Sequence, residues 1–145
     1  MSYLVDTNIL LRSAQPSHPM HAAATRAVGA LLAQGEILSV IPQNIIEYWA
    51  VATRPVKANG LGLSVDETAA EVKRLQIIFR ILPDTAEIFS EWRRLVSTHE
   101  VKGKEVHDAR IVAAMLAHRV THLLTFNTAD FKRYPEITAI NPRDV

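Results

Sequence analysis

Short β-branched and apolar runs alternate with longer segments that carry helix-boundary residues, and this alternation limits the possible folds more than any other feature. Tyr3–Val5, Ile37–Ile41, Ile77–Leu82 and His122–Phe126 read as strands, and Ile137–Ile140 as a possible fifth. Between them, Pro19–Gln34 is Ala-rich and stops at Gly35, a helix with a glycine C-terminal signal. Pro42 sits where a helix can start, and Gln43–Thr53 continues it to Pro55. Ser64 with Glu67, and Asp84 with Glu87, have capping-box spacing; they predict helices running to about Arg74 and toward Thr98. Asp108–Arg119 reads as a mostly apolar helix after a polar loop at Lys102–Val106. Strands separated by helices require right-handed crossovers, hence an α/β fold with a mostly parallel sheet covered on both faces.

A chain of 145 residues suits one domain, 1–145, and a hydrophobic fraction of 48% supplies a core for it. The longest apolar run, Ile111–Ala117, is far short of the ~20 residues of a membrane span. No basic stretch followed by an apolar one opens the sequence, so no secretory signal is expected. The absence of cysteine excludes disulfides, thiol nucleophiles and thiolate metal sites, and fits the cytoplasm. A formal net charge of +1 gives no global attraction to nucleic acid, so a phosphate partner requires local basic groups.

In open parallel sheets ligands gather beyond the carboxyl ends of the strands. That rule selects Asp6 directly after the first strand, Glu47 early in the helix after the second, Asp108 at the start of the long apolar helix, and Asn127 and Asp130 after the fourth. Ile111, Val112 and Met115 share a helical face with Asp108, which would place this acid at the end of the core. For Glu47 the pattern is weaker, because polar Asn44 shares its face with Ala50 and Val51. Singly, each acid has an ordinary reading: a helix cap for Asp108, a turn cap for Asp6 or Asp130, a solvated helix position for Glu47. Jointly they would repel unless compensated. A hard divalent ion such as Mg²⁺ or Mn²⁺ takes oxygen ligands and supports phosphodiester hydrolysis.

Four segments, in order, then resemble one family: "YLVDTNILL", Glu47 in the helix after the second strand, "HDARIVAAMLA" and "LLTFNTADF". They resemble the PIN domain, and most closely the VapC-type toxins of bacterial toxin–antitoxin pairs, over essentially the whole chain. The resemblance implies a three-layer α/β/α fold and a Mg²⁺- or Mn²⁺-dependent ribonuclease, with Asp6, Glu47 and Asp108 as its core acids. Many relatives carry Asp where this chain has Asn127, so either Asp130 supplies the fourth charge or Asn127 acts as a neutral ligand. Thr7, Asn8 and Thr125 match small polar positions that orient carboxylates or waters. A homodimer and a cognate antitoxin are further implications.

Arg12, Lys102 and Lys104 are candidates for RNA contact, and Lys132 and Arg133 could also border the acids. Trp49 and Trp92 could stack bases, although packing is the more ordinary use of each. His18 and His21 have i, i+3 spacing but no third ligand; His107 adjoins Asp108, and the family chemistry does not need it. "TRPVKANGLGLS" is either a loop for substrate or partner, or a connector. The competing readings are a PIN-like RNA-processing nuclease outside a toxin system, an aspartate-nucleophile phosphatase and a receiver-like module. Asp6-Thr7-Asn8 lacks the second Asp such a phosphatase wants. In a receiver an Asp closes a central strand, whereas Asp84 follows Pro83.

Overall fold

The computed structural model describes residues 1–145. Five strands, β1 (Ser2–Val5), β2 (Ile37–Val40), β3 (Arg80–Ile81), β4 (His122–Leu124) and β5 (Thr138–Ile140), form one sheet in the order β3-β2-β1-β4-β5. Every neighbouring pair is parallel. The helices are α1 (Thr7–Ser13), α2 (His21–Ala33), α3 (Pro42–Thr53), α4 (Val65–Ile78), α5 (Ala86–Thr98) and α6 (Glu105–Ala117), with short 3-10 turns at Val56–Ala58, Thr128–Phe131 and Pro142–Asp144. The chain winds outward from β1 to β3, then crosses to β4 and β5 on the other side. The switch point therefore lies between β1 and β4.

Two apolar cores sandwich the sheet. Val5, Ile9, Leu10, Leu31, Val40, Tyr48 and Leu75 belong to one, under α1 to α4. Leu4, Ile88, Leu95, Ile111, Val112, Met115 and Leu123 belong to the other, under α5 and α6. Consecutive residues Leu4 and Val5 thus serve opposite cores, as the alternation of strand side chains requires. The expected three-layer α/β/α architecture is present.

Local outcomes differ from the sequence pattern in identifiable places. α1 was not signalled: its seven residues start directly after the strand, and Ile9–Leu11 is too short to show helical periodicity. The run Ile77–Leu82 is not one strand. The Ser64–Glu67 capping box forms, and the helix it starts continues through Ile78, leaving only Arg80–Ile81 to pair with β2. β3 is thus a sheet edge rather than a central strand, which removes the receiver comparison. α5 is preceded by Thr85 and not capped by Asp84; the Asp84 carboxylate instead pairs with Arg110 at 3.2 Å. α6 begins at Glu105, inside the expected polar loop, so Asp108 lies within the first helical turn and is no N-cap. The glycine stop after α2 holds, with Gly35 at φ +80°.

The Pro55–Leu63 connector is tied back to α3: the Leu61 N–H donates to Val51 O at 3.0 Å and the Leu63 N–H to Ala52 O at 2.9 Å. Gly60 is required there, because a Cβ would fall 2.0 Å from the Arg54 carbonyl oxygen. This segment is a fastened connector.

Candidate active site

β1 delivers Asp6 to the carboxyl end of the sheet, where its backbone N–H continues the ladder to Leu124 O at 3.0 Å. The chain then turns into α1, and Asp6 becomes its N-cap, with Oδ1 accepting from the Thr7 N–H at 2.8 Å. Oδ2 accepts from the Thr125 hydroxyl at 2.8 Å and, at 3.5 Å, from the Asn8 amide. Asn8 also donates to Thr125 Oγ1 at 3.2 Å, and its own carbonyl oxygen accepts from the Phe126 N–H. The ends of β1 and β4 are thereby stitched around one carboxylate that is 8% exposed.

A second chain of contacts reaches Glu47. The buried Asn44 side chain accepts from the Ile41 N–H at 2.9 Å and donates to Thr7 Oγ1 at 3.2 Å. Thr7 Oγ1 donates in turn to Glu47 Oε1 at 3.2 Å. Asn44, the polar residue that blurred the amphipathic pattern, therefore holds the strut that aims Glu47. Gln43 is a neighbour of the acids that the sequence pattern did not flag. Its amide donates to His107 O at 2.9 Å, its carbonyl oxygen accepts from Arg110 at 3.2 Å, and its side chain reaches Glu47 one turn on. It ties α3 to α6, and so Glu47 to the helix of Asp108.

The electrostatics show that these acids share a neighbourhood. Burial raises Asp6 to about 6; the Thr125 and Thr7 hydrogen bonds oppose the rise, and the charges of Glu47 and Asp130 add to it. Burial also raises Asp108 to about 6, with repulsion from Asp6, Asp130 and Glu105 adding. Glu47 is raised by burial, opposed by the Thr7 hydrogen bond, with Asp108 contributing repulsion. Asp130, in the 3-10 turn after β4, is exposed and contributes its charge to both aspartates. Asn127 is also exposed, and its N–H donates to Thr125 Oγ1 at 3.0 Å. None of the ion pairs in the protein involves Asp6, Glu47, Asp108 or Asp130. The one favourable charge effect on the cluster comes from His107, which opposes the rise of Glu47 and of Asp108.

The donor chemistry fits a hard divalent ion, since it consists of carboxylate, hydroxyl and amide oxygens. The geometry is looser than a finished ligand shell: no three His, Cys, Asp or Glu side chains are close enough to hold one ion. Mg²⁺ needs only one or two carboxylates, with waters completing its shell, so the donor set suffices. The acids line none of the five main cavities.

The basic candidates are less tightly gathered. Arg12 is in the last turn of α1, about 9 Å of helix rise from the cap, and its guanidinium is bonded to Gln15 at 2.7 Å. Lys102 and Lys104 are exposed just before α6. Lys132 follows Asp130 on the surface, and Arg133 pairs with Glu105 at 2.7 Å. His18 and His21 serve local contacts, accepting from the Met20 N–H and bonding Arg12 O.

A doubly wound parallel α/β domain with a carboxylate cluster at its switch point is the class that fold and site define. Within that class the chain belongs to the PIN domain family, whose profile matches residues 3–137. Solved structures share the fold. VapBC-1 from nontypeable Haemophilus influenzae matches with a TM-score of 0.73 at 16% identity, over 98% of both chains. A toxin–antitoxin complex from Klebsiella pneumoniae matches at 0.66 and 22% identity, over 99% of both. VapC20 from Mycobacterium tuberculosis, a sarcin–ricin loop cleaving toxin, matches at 0.61 and 19%, over 83% of this chain and 86% of that one. No curated protein sequence matches the chain. No helix is long and apolar enough to cross a membrane.

Proposed function

We propose that the chain is an endoribonuclease that hydrolyses RNA phosphodiester bonds using Mg²⁺ or Mn²⁺, and that it acts as a VapC-type toxin restrained by a cognate antitoxin. The observation that carries this reading is the gathering of Asp6, Glu47 and Asp108 at the carboxyl ends of the strands, each raised by burial and by a neighbouring carboxylate, with the charge of Asp130 reaching both aspartates and no ion pair to any of the four. Asp6 and Asp108 are the residues that would hold the ion, through one or two direct carboxylate bonds completed by waters, with Glu47 and Asp130 in reach of those waters. Asp130 rather than Asn127 is favoured as the fourth charge, because both aspartates feel it. A bound divalent ion would neutralise an approaching phosphate and lower the pKa of water.

The chain's own groups do the rest. Thr7 N–H and Thr125 Oγ1 fix the plane of the Asp6 carboxylate. Thr7 and Asn44 aim Glu47, whose raised affinity for protons suits it to position the attacking water and accept its proton. Asn8 and Asn127 sit where polar groups can orient waters at the rim. Lys102 and Lys104 would meet the RNA backbone. Residues 1–145 would act as one domain, in the cytoplasm, as a homodimer. Support for the toxin reading comes from the fold shared with toxin–antitoxin proteins over nearly the whole chain.

The test is cleavage of RNA by the purified protein with Mg²⁺ or Mn²⁺. Asp6→Asn should keep its circular dichroism spectrum and lose about 10²–10³-fold or more in rate. Undiminished cleavage by that variant, or in excess chelator, would remove the mechanism.

A further inference from the structure

We infer that Gln43 and Arg110 are positioning residues of the acidic centre: together they brace α3 against α6, and so set the separation of Glu47 from Asp108 and the affinity for a divalent ion. This rests on the metal-dependent nuclease reading. The two acids approach from opposite faces of the sheet. Glu47 lies on α3, which packs against α1 and α4, whereas Asp108 lies on α6, which packs against α5. Gln43 crosses between the two helices. Its Nε2 donates at 2.9 Å to His107 O, the carbonyl directly before Asp108, and its Oε1 accepts from Arg110 Nη1 at 3.2 Å. Arg110 Nη2 continues to Asp84 Oδ1 at 3.2 Å, in the connector that leads into α5.

The Gln43 amide can serve in one orientation only. Flipped, it would set its NH₂ against the guanidinium and its oxygen against the His107 carbonyl, and both bonds would be lost. Gln43 also completes the support of Glu47. Thr7 on α1 bonds the Glu47 carboxylate at 3.2 Å and fixes it relative to Asp6. Gln43, one turn before Glu47, fixes the same helix relative to Asp108, and its hydrogen bond favours the ionised form of Glu47. The brace overrides a local sequence rule as well. Asp84 has capping-box spacing with Glu87, yet α5 has no side-chain cap and the Asp84 carboxylate goes to Arg110. Such local rules give way where a functional requirement outweighs them.

Two other uses of Arg110 lead to different outcomes when it is removed. If Arg110 acted only as a positive charge on the helix of Asp108, its loss would tighten the binding of a cation. If it served only as a surface ion pair, with side chains 36% and 49% exposed, its loss would change little, because such pairs contribute little. A brace predicts the opposite sign to the first: ion binding weakens although a competing cation has gone, because α3 and α6 are no longer held at one spacing.

Calorimetric titration of the RNA-free protein with Mn²⁺ decides the matter. Gln43→Met keeps the length of the side chain and removes both of its polar functions. It should weaken Mn²⁺ binding about tenfold or more, as loss of a group that orients a ligand does, with an unchanged circular dichroism spectrum. Arg110→Ala should weaken it less, since the bond from Gln43 to His107 remains. The double variant should bind no more weakly than Gln43→Met alone, because groups that act as one brace do not add. Arg94→Ala removes a comparable exposed pair with Glu91 on α5 and should leave Mn²⁺ binding as it is. Unchanged affinity in Gln43→Met overturns the assignment, as do tighter binding in Arg110→Ala and losses that add in the double variant. Absence of saturable Mn²⁺ binding by the native protein overturns it together with the metal-dependent reading. The expected pattern of losses in a protein that cleaves no RNA with Mg²⁺ or Mn²⁺ would retain the brace and sink the nuclease reading alone.

Discussion

Asp6 and Asp108 reach the same centre from opposite sides of the sheet, and the protein treats them differently. Asp6 is buried and clamped by the Thr7 N–H and the Thr125 hydroxyl. Asp108 is half-buried in the first turn of α6, and no hydrogen bond counters the burial and repulsion that raise it. Both carboxyls are nonetheless pushed to about 6. At Asp6 desolvation wins over two favourable hydrogen bonds. At Asp108 desolvation and the charges of Asp6, Asp130 and Glu105 act together, opposed only by His107. One side of the site is a preorganised socket; the other is a group with room to adjust.

Lengthening each acid by one methylene breaks or sharpens that contrast most strongly. Asp6→Glu must displace Thr125 or α1, and a misplacement of about 1 Å in such a centre costs on the order of 10²-fold in rate. Asp108→Glu breaks no such clamp, and should lose only about tenfold. RNA cleavage rates for the two variants measure this directly, and equal losses would erase the distinction.

A smaller effect is expected from the socket's support. Thr125→Val keeps the shape of a side chain with no exposed surface while removing the donor to Asp6. Loss of such an orienting group typically costs about 10–100-fold in metal affinity or activity. Titrating the rate against Mn²⁺ should show the loss as weaker ion dependence, and an unchanged curve would mean that the hydroxyl does not orient Asp6.

The smallest effect concerns stability without divalent ions. The Asp6 carboxyl takes up its proton near 6 when folded and near 3.8 as a free group. Its contribution to stability is therefore complete below about pH 3.8 and is lost as pH rises through about 6. Asp6→Asn, which cannot ionise, escapes that loss. In chelator the variant should gain on the native protein by up to about 3 kcal/mol between pH 4 and pH 7. Urea unfolding at the two pH values reads the difference, and a constant gap would show that Asp6 is not strained by burial.

The same contrast explains what was legible in the sequence. Asp6 could be found because an apolar strand ending in Asp-Thr-Asn is a local signal, and the parallel topology followed from the alternation of strands and helices. Asp108 was placed on the right face by Ile111, Val112 and Met115, although the helix starts three residues earlier than the polar stretch suggested. Gln43 left no trace, because its role depends on contacts 64 and 67 residues away. Ile77 misled for a different reason. It is β-branched and apolar, yet it is 86% exposed on the last turn of α4, where a well-capped helix outlasts strand propensity.

The most direct test of one shared ion site is calorimetric titration of the RNA-free protein with Mn²⁺. Saturable binding to the native protein should be lost or greatly weakened in both Asp6→Asn and Asp108→Asn, with each variant folded by circular dichroism. Binding that survives unchanged in either variant would contradict a centre shared by the two acids.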